Sequence, residues 1–297
     1  MVFRHVIAGL DLSPRTQRVA SFAASLSRQL AAELVLVHAD PEEAERLRSL
    51  PSWAAIEVAM AAVRERAGAA VGAATQDAGA ALLHRVGSPE AVLQTEAETR
   101  GAAVVVVGSG ATGTTPDVGV TTTRCLRTMT LPLMIVPTHR TDEPAPVRKI
   151  LAPVDLDAGT AEALALAGEL ARALQAELVA AHVVRPPLLG GLLGSEEHEA
   201  DVPGAVRDML VAAGVRLDEE VAAAEVDDVD TRVVSAVRAA DGISALADEL
   251  GADLVILPAH GRGAVARFFL GSTSERLVRM SNVPVLVLPP TWVAGLR

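Results

Sequence analysis

The chain has 297 residues, half of them apolar, with 2% aromatics and no tyrosine, so two ordinary domains are expected with cores packed from Ala, Val and Leu. A formal charge of −11 and an isoelectric point near 5.1 argue against an extended nucleic-acid interface, while a local anion site built from backbone N–H groups stays compatible with them. The single cysteine, Cys125, excludes an intrachain disulfide and a thiolate zinc cluster and fits a reducing cytoplasm. The opening MVFRHVIAGLDLS is too short in apolar length for a signal peptide, and no run of 18 apolar residues occurs, so no membrane span is expected.

In chain order, Val6–Leu10 reads as a buried strand closing on Asp11, followed by a helix and a second strand over Leu34–His38. A long variable segment carries a second helix, and a third strand ends near Val86. The helix opening on SPEAVLQ takes Ser88 as its N-cap and Pro89 as its first residue. Then come an aliphatic strand over Val104–Val107, the Gly- and Thr-rich loop GSGATGTT, a helix carrying Cys125, and the fifth strand LPLMIVP. The polar, proline-containing RTDEPAP (140–146) suits an interdomain linker.

Beyond it the same order repeats. The strand Ile150–Val154 leads to a helix with Ala163, Leu166, Ala167, Leu170 and Leu174 on one face, then to the strand Leu178–Val183. The segment GLLGSEEHEAD (191–201) reads equally as a flap or as a disordered insertion, and a third strand is expected to end near Val237. The strand Leu254–Leu257, the loop PAHGRGAVARFFLGSTSER (258–276) and the strand VPVLVLPP complete the copy. Asp11 pairs with Asp155, Glu33 with Glu177 and His38 with His182 at one constant offset, so the chain is a duplication, with domains at 1–140 and 147–297.

Strands that are apolar throughout and alternate with helices indicate parallel sheets covered on both faces. The expected fold is therefore α/β, two tandem doubly wound five-stranded domains of the Rossmann-like, adenine-nucleotide alpha hydrolase-like kind. Ligands of such sheets sit beyond the carboxyl ends of the strands, where Asp11, Asp155 and the loops after 108 and 258 fall. The fifth strands are long apolar edges that must be paired or covered. Pairing them with each other makes a pseudo-dimer within one chain and leaves residual edges or helices for a homodimer.

This layout, with HGRGAVARFFLGSTSERLVRMSNVPVLVLPP, resembles the universal stress protein family in its tandem form, over nearly the whole chain outside 40–80 and 185–230. Nucleotide-binding members of that family carry Gly-x2-Gly-x9-Gly-Ser/Thr after the fourth strand, an Asp after the first and a hydrophobic residue closing the second. The resemblance implies binding of ATP, with Mg2+ in company, or of a related adenine nucleotide, dimer-like pairing of domains, and a part in stress response. Carried over residue by residue, Gly261, Gly271, Ser272 and Thr273 match the second-copy motif, with Pro258 in place of its first glycine. Asp155, Pro153, Val183 and Leu257 flank the same expected site, as do His260 and Arg262 in the loop. The first copy keeps Asp11, Ala39, Gly108 and Thr121, but has Ala111 and Val120 where the second glycine and the serine belong, and its loop is two residues shorter.

Glycines let a backbone approach phosphate closely, and hydroxyls at a helix start add donors to its free N–H groups. The plainer alternatives are an N-capped helix for Ser272 and an Asx-turn for Asp11. His38 and His182 read as satisfied structural histidines, and Cys125 as a packing thiol. No nucleophile, general base or metal cluster is assembled, so at most slow ATP hydrolysis or phosphorylation at Ser272 or Thr273 is expected. The competing reading is an interaction protein that has lost nucleotide binding and works through its dimer-like surface.

Overall fold

The computed structural model describes residues 3–40, 42, 53–75, 79–80, 82–101, 103–110, 118–140, 142–186, 202–258 and 272–289. The first half comprises β1 (His5–Gly9), α1 (Thr16–Leu30), β2 (Glu33–Asp40), α2 (Trp53–Thr75), β3 (Leu82–Val86), α3 (Pro89–Arg100), β4 (Ala103–Gly108), α4 (Val120–Thr128) and β5 (Leu133–Val136). The second comprises β6 (Lys149–Pro153), α5 (Thr160–Leu174), β7 (Glu177–Val184), α6 (Val202–Ala223), β8 (Val229–Ser235), α7 (Ala239–Leu250), β9 (Leu254–Pro258), α8 (Ser272–Met280) and β10 (Val285–Leu288).

All ten strands form one sheet in the order β3-β2-β1-β4-β5-β10-β9-β6-β7-β8. Each half is parallel within itself, and the halves meet through antiparallel β5 and β10, with Val285 opposite Ile135 and Leu286 opposite Met134. The fifth strands therefore cover each other, giving the pseudo-dimer that their apolar edges demand. Alternate residues of the aliphatic strands feed opposite faces, as a period of two requires. Val104 and Val106 join the core under α1, α2, α5 and α6, while Val105 and Val107 join the one under α3, α4, α7 and α8. Both cores contain residues of both halves.

A polar clamp reinforces the junction. The Gln29 side chain on α1 donates to the Val147 carbonyl at 2.9 Å and accepts from the Val147 amide at 2.9 Å. The seam after β5 is anchored as well, because the half-buried Arg18 donates through Nε to Pro137 O at 2.9 Å and pairs with Asp142 at 3.6 Å. Among the described residues, no helix is long and apolar enough to cross a membrane.

The third strand of the second copy ends at Ser235 rather than near Val237. Its partner β7 stops at Val184, whose carbonyl takes the Ala236 amide, so the chain has no ladder left to follow and Val237 stands 66% exposed in the turn. Ser88 does occupy the N-cap of α3 with Pro89 behind it, but its side chain makes no capping bond. The segment 191–201 lies outside the described residues.

One buried carboxylate carries a testable consequence for stability. Glu96 on α3 is only 8% exposed and accepts from Arg85 Nε of the edge strand β3 at 2.6 Å and from Arg100 one turn along the helix. Burial by itself raises its pKa, but the hydrogen bonds and charges of the two arginines outweigh that and hold it below the usual glutamate value. A depressed folded pKa means that the contribution is present above the unfolded value and is lost as pH falls through the folded one. Glu96→Gln is expected to cost about 1–3 kcal/mol at neutral pH, since both arginines are partly solvated and recover water. Urea titrations from pH 7 to 3 should show the gap to the parent protein closing at the acid end.

Candidate functional site

In each half the strand order reverses beside the first strand, so β1 and β4, or β6 and β9, diverge at their carboxyl ends and open a crevice. An aspartate follows each first strand, and the next residue is forced into the left-handed region: Leu12 at φ 57° and Leu156 at φ 54°. Leucine has no preference for that conformation, so a strained turn recurring at one place in both copies marks a spot where the chain's course is imposed.

In the first half the turn is held by Asp11. Its Oδ1 accepts from the Ser13 amide at 3.0 Å and from the Thr16 hydroxyl at 2.8 Å. The Asx-turn is thus real, and it uses one carboxylate oxygen, leaving Oδ2 without a partner among the described residues. Across the crevice, β4 ends at Gly108 and α4 begins at Val120. Gly110, at φ +75°, lies so close to Gly119 that a Cβ on it would stand 2.8 Å from the Gly119 Cα, and the Gly119 amide donates to Ser109 O at 2.8 Å. These two glycines close the neck of the loop, which sets the first turn of α4 facing Asp11.

The result is a cleft of ≈ 400 Å³. Its apolar lining is formed by Leu10, Val37, Ala39, Leu93 and Val107, and its polar lining by Asp11, Ser13, Arg15 and Thr121, with the buried Thr16 and Thr122 behind them. All four first-copy residues singled out in the sequence, Asp11, Ala39, Gly108 and Thr121, line this one space. Thr122 is committed, its hydroxyl donating to Gly108 O at 2.6 Å, whereas Thr121 has no such bond among the described residues. Sequence reasoning missed Arg15, Thr16 and Leu93. The stretch SPRT directly after Asp11 was a usable signal, but comparing copies hides Arg15, because Gly159 stands at its place in the second half.

His38 and His182 each bond a backbone oxygen through Nδ1 at 2.7 Å, Leu10 O and Val154 O respectively, so both are satisfied structural groups. Around His38 the first half gathers charged side chains. Asp40 contacts Arg64 at 2.5 Å, His38 at 3.5 Å and His84 at 3.9 Å, and burial, with His38 beside it, lowers the His84 pKa. The register that puts His84 opposite His38 puts Val233 opposite His182. Cys125 is fully buried, and burial pushes its thiol up to about 12, which makes it an inert packing group. Among the described residues no group of three or more His, Cys, Asp and Glu side chains converges on a metal position.

In the second half Pro153 and Asp155 bracket the end of β6, the first buried and the second exposed. Val183 and Leu257 lie in the core beneath α7 and α8, at 8% and 5% exposure. Ser272 and Thr273 open α8. His260, Gly261, Arg262 and Gly271 lie outside the described residues.

Known proteins resemble this chain along its whole length. The sequence profile of the universal stress protein family matches residues 3–137 and again 146–289. A universal stress protein of Synechocystis sp. is 27% identical over 147 residues, covering 48% of this chain and 85% of its own. Among solved structures, a universal stress protein from Archaeoglobus fulgidus superposes with a TM-score of 0.65 at 20% identity, covering 97% of this chain and 99% of its own. A putative universal stress protein from Pseudomonas aeruginosa superposes with a TM-score of 0.57 at 18% identity over 99% and 96%. At such identities the superpositions speak for the fold.

Proposed function

The chain belongs to the universal stress protein family, and on that premise we propose that it binds ATP or a related adenine nucleotide as a cytoplasmic sensor or scaffold of the stress response. The observation that carries this reading is the cleft of ≈ 400 Å³ beside β1 and β4, with an apolar and a hydroxyl-bearing lining. Such a division suits a flat base on the apolar lining and an anionic group at the first turn of α4, where free amides and the helix dipole favour negative charge. Of the two units, 1–140 and 147–297, the second retains more of the glycine motif, in Gly261, Gly271, Ser272 and Thr273. We assign it the principal nucleotide site and the first unit a second one.

Asp11 is the one carboxylate lining the first cleft among the described residues, too few oxygens for a magnesium site built by the protein alone. Mg2+ is therefore expected with the phosphates. The reading as an interaction protein loses part of its ground, because the surface formed by the fifth strands is consumed inside the chain.

Isothermal titration of ATP into the full chain and into Gly271→Trp tests the assignment. Saturable binding with two sites, falling to one in the variant, is expected. Absence of saturable binding at millimolar ATP would refute the nucleotide reading, and an unchanged two-site isotherm in the variant would refute the placement of the principal site.

A further inference from the structure

The first cleft has lost the serine and one glycine of the family motif, so the amides at the start of α4 need a further group to hold an anion. Resting on the nucleotide reading of that cleft, we infer that Arg15 is its phosphate-selecting residue, the group that separates phosphorylated from unphosphorylated ligands.

Three observations converge on it. Arg15 lines the cleft, and Asp11 and Arg15 are the only Asp, Glu, Lys or Arg residues among the described lining. The carboxylate of Asp11 repels a phosphate in the same low-dielectric space, in a chain that is already acidic, so binding an anion there needs a compensating cation. Most of the described lining hydroxyls are spent, Thr16 on Asp11, Thr122 on Gly108 O and Thr138 with Ser109 Oγ at 3.1 Å, which leaves Ser13 and Thr121, neutral groups that cannot offset the carboxylate.

Arg15 is available for that work. Whereas Arg18, Arg64, Arg85 and Arg100 each hold a carboxylate, its guanidinium has no ion pair among the described residues. It stands at the N-cap of α1, with its amide on the Ser13 hydroxyl at 3.2 Å, so its backbone is fixed by the same turn that fixes Asp11. The matching residue of the second half is Gly159, at φ +102°, which can supply no charge. The two copies thus divide the task differently: the second retains the hydroxyl-bearing motif, and the first places a guanidinium at the opposite lip of the crevice. A guanidinium offers paired donors to phosphate oxygens, and charge-assisted bonds of that kind are the stronger class.

The test isolates the first cleft by using Gly271→Trp as the background in the full chain and measuring ATP, AMP and adenosine by equilibrium dialysis. Adding Arg15→Gln is expected to weaken ATP about ten- to hundredfold and AMP by less, while adenosine changes less than twofold. Arg15→Lys should restore part of the ATP affinity, since charge is kept and the planar fork is lost. Raising salt should weaken ATP binding more in the Gly271→Trp background than in its Arg15→Gln derivative. Equal losses for ATP and adenosine, or no loss for ATP, would overturn the role of Arg15 while leaving nucleotide binding intact. Absence of saturable binding of all three ligands in the Gly271→Trp background would overturn the nucleotide reading of the first cleft and the inference with it.

Discussion

Leu286→Asp is expected to unfold both halves of the chain together. Leu286 sits in the middle of β10, fully buried, opposite Met134 of β5 at 1% exposure, and both side chains enter the core beneath α1, α2, α5 and α6. That core contains residues from each half, so a carboxylate placed there is surrounded by aliphatic side chains with no basic partner in the cluster. An unpaired buried charge costs more than about 4 kcal/mol, a large share of the total stability of an ordinary domain. Leu286→Met, of similar volume, should cost less than about 1.5 kcal/mol. Limited proteolysis followed by mass spectrometry distinguishes one joined structure from two tethered ones. Cleavage spread over both halves of Leu286→Asp is the expected result, and a protected first half would show that the two fold separately.

Gly108→Ala is expected to cost about 1–3 kcal/mol, for a reason unrelated to phosphate. A Cβ at this position would lie 2.7 Å from Thr138 Cγ2 and 3.1 Å from Val19 Cγ2, both in a packed region that cannot give freely. Gly108 is not among the glycines with a left-handed φ, so the backbone itself would accept alanine. Thr138→Ser removes the nearer methyl while keeping the hydroxyl that meets Ser109 Oγ at 3.1 Å. The double variant should therefore recover most of the loss, and a urea double-mutant cycle reads the coupling directly. No recovery would mean that the glycine serves the backbone rather than the packing.

The same geometry explains why the proline at the corresponding place in the second copy is tolerated. Val105 donates its amide to Pro132 O and Ser109 to Val136 O, so odd positions of β4 serve β5, and the Gly108 amide faces the β1 side, where the cleft lies. In β9, Val255 donates to Pro284 O, which puts position 258 on the side away from β10. Pro258 can close that strand, in register with Leu288, without breaking a bond of the β9–β10 ladder. The donor it lacks lies on the β6 side of β9, beyond the last β6–β9 pair at Val255, so the sheet does not depend on it.

Much of the architecture was legible because it rests on periodicity and repetition. The all-apolar strands, the paired positions Asp11 and Asp155, and the edges LPLMIVP and VPVLVLPP lead to a parallel sheet, a duplication and a paired junction. What stayed hidden depends on side chains meeting across the fold. The reason for Gly108 is Thr138, thirty residues on, and the clamp of Gln29 on Val147 crosses from one half to the other. Arg15 was not singled out in the sequence, and it is the cleft that gathers it with Thr121 and the start of α4. Asp11 shows that the turn does not exclude a further role: Oδ1 makes it, and Oδ2 has no partner among the described residues.

A crystal structure of the full chain grown with ATP tests the central claim most directly. The account predicts nucleotide in the cleft between Asp11, Ala39, Gly108 and Thr121 and at the matching crevice of the second half, with the base on the apolar lining and the phosphates at the first turns of α4 and α8. Crystals grown at saturating ATP with both crevices empty, or with the nucleotide bound elsewhere, would contradict it.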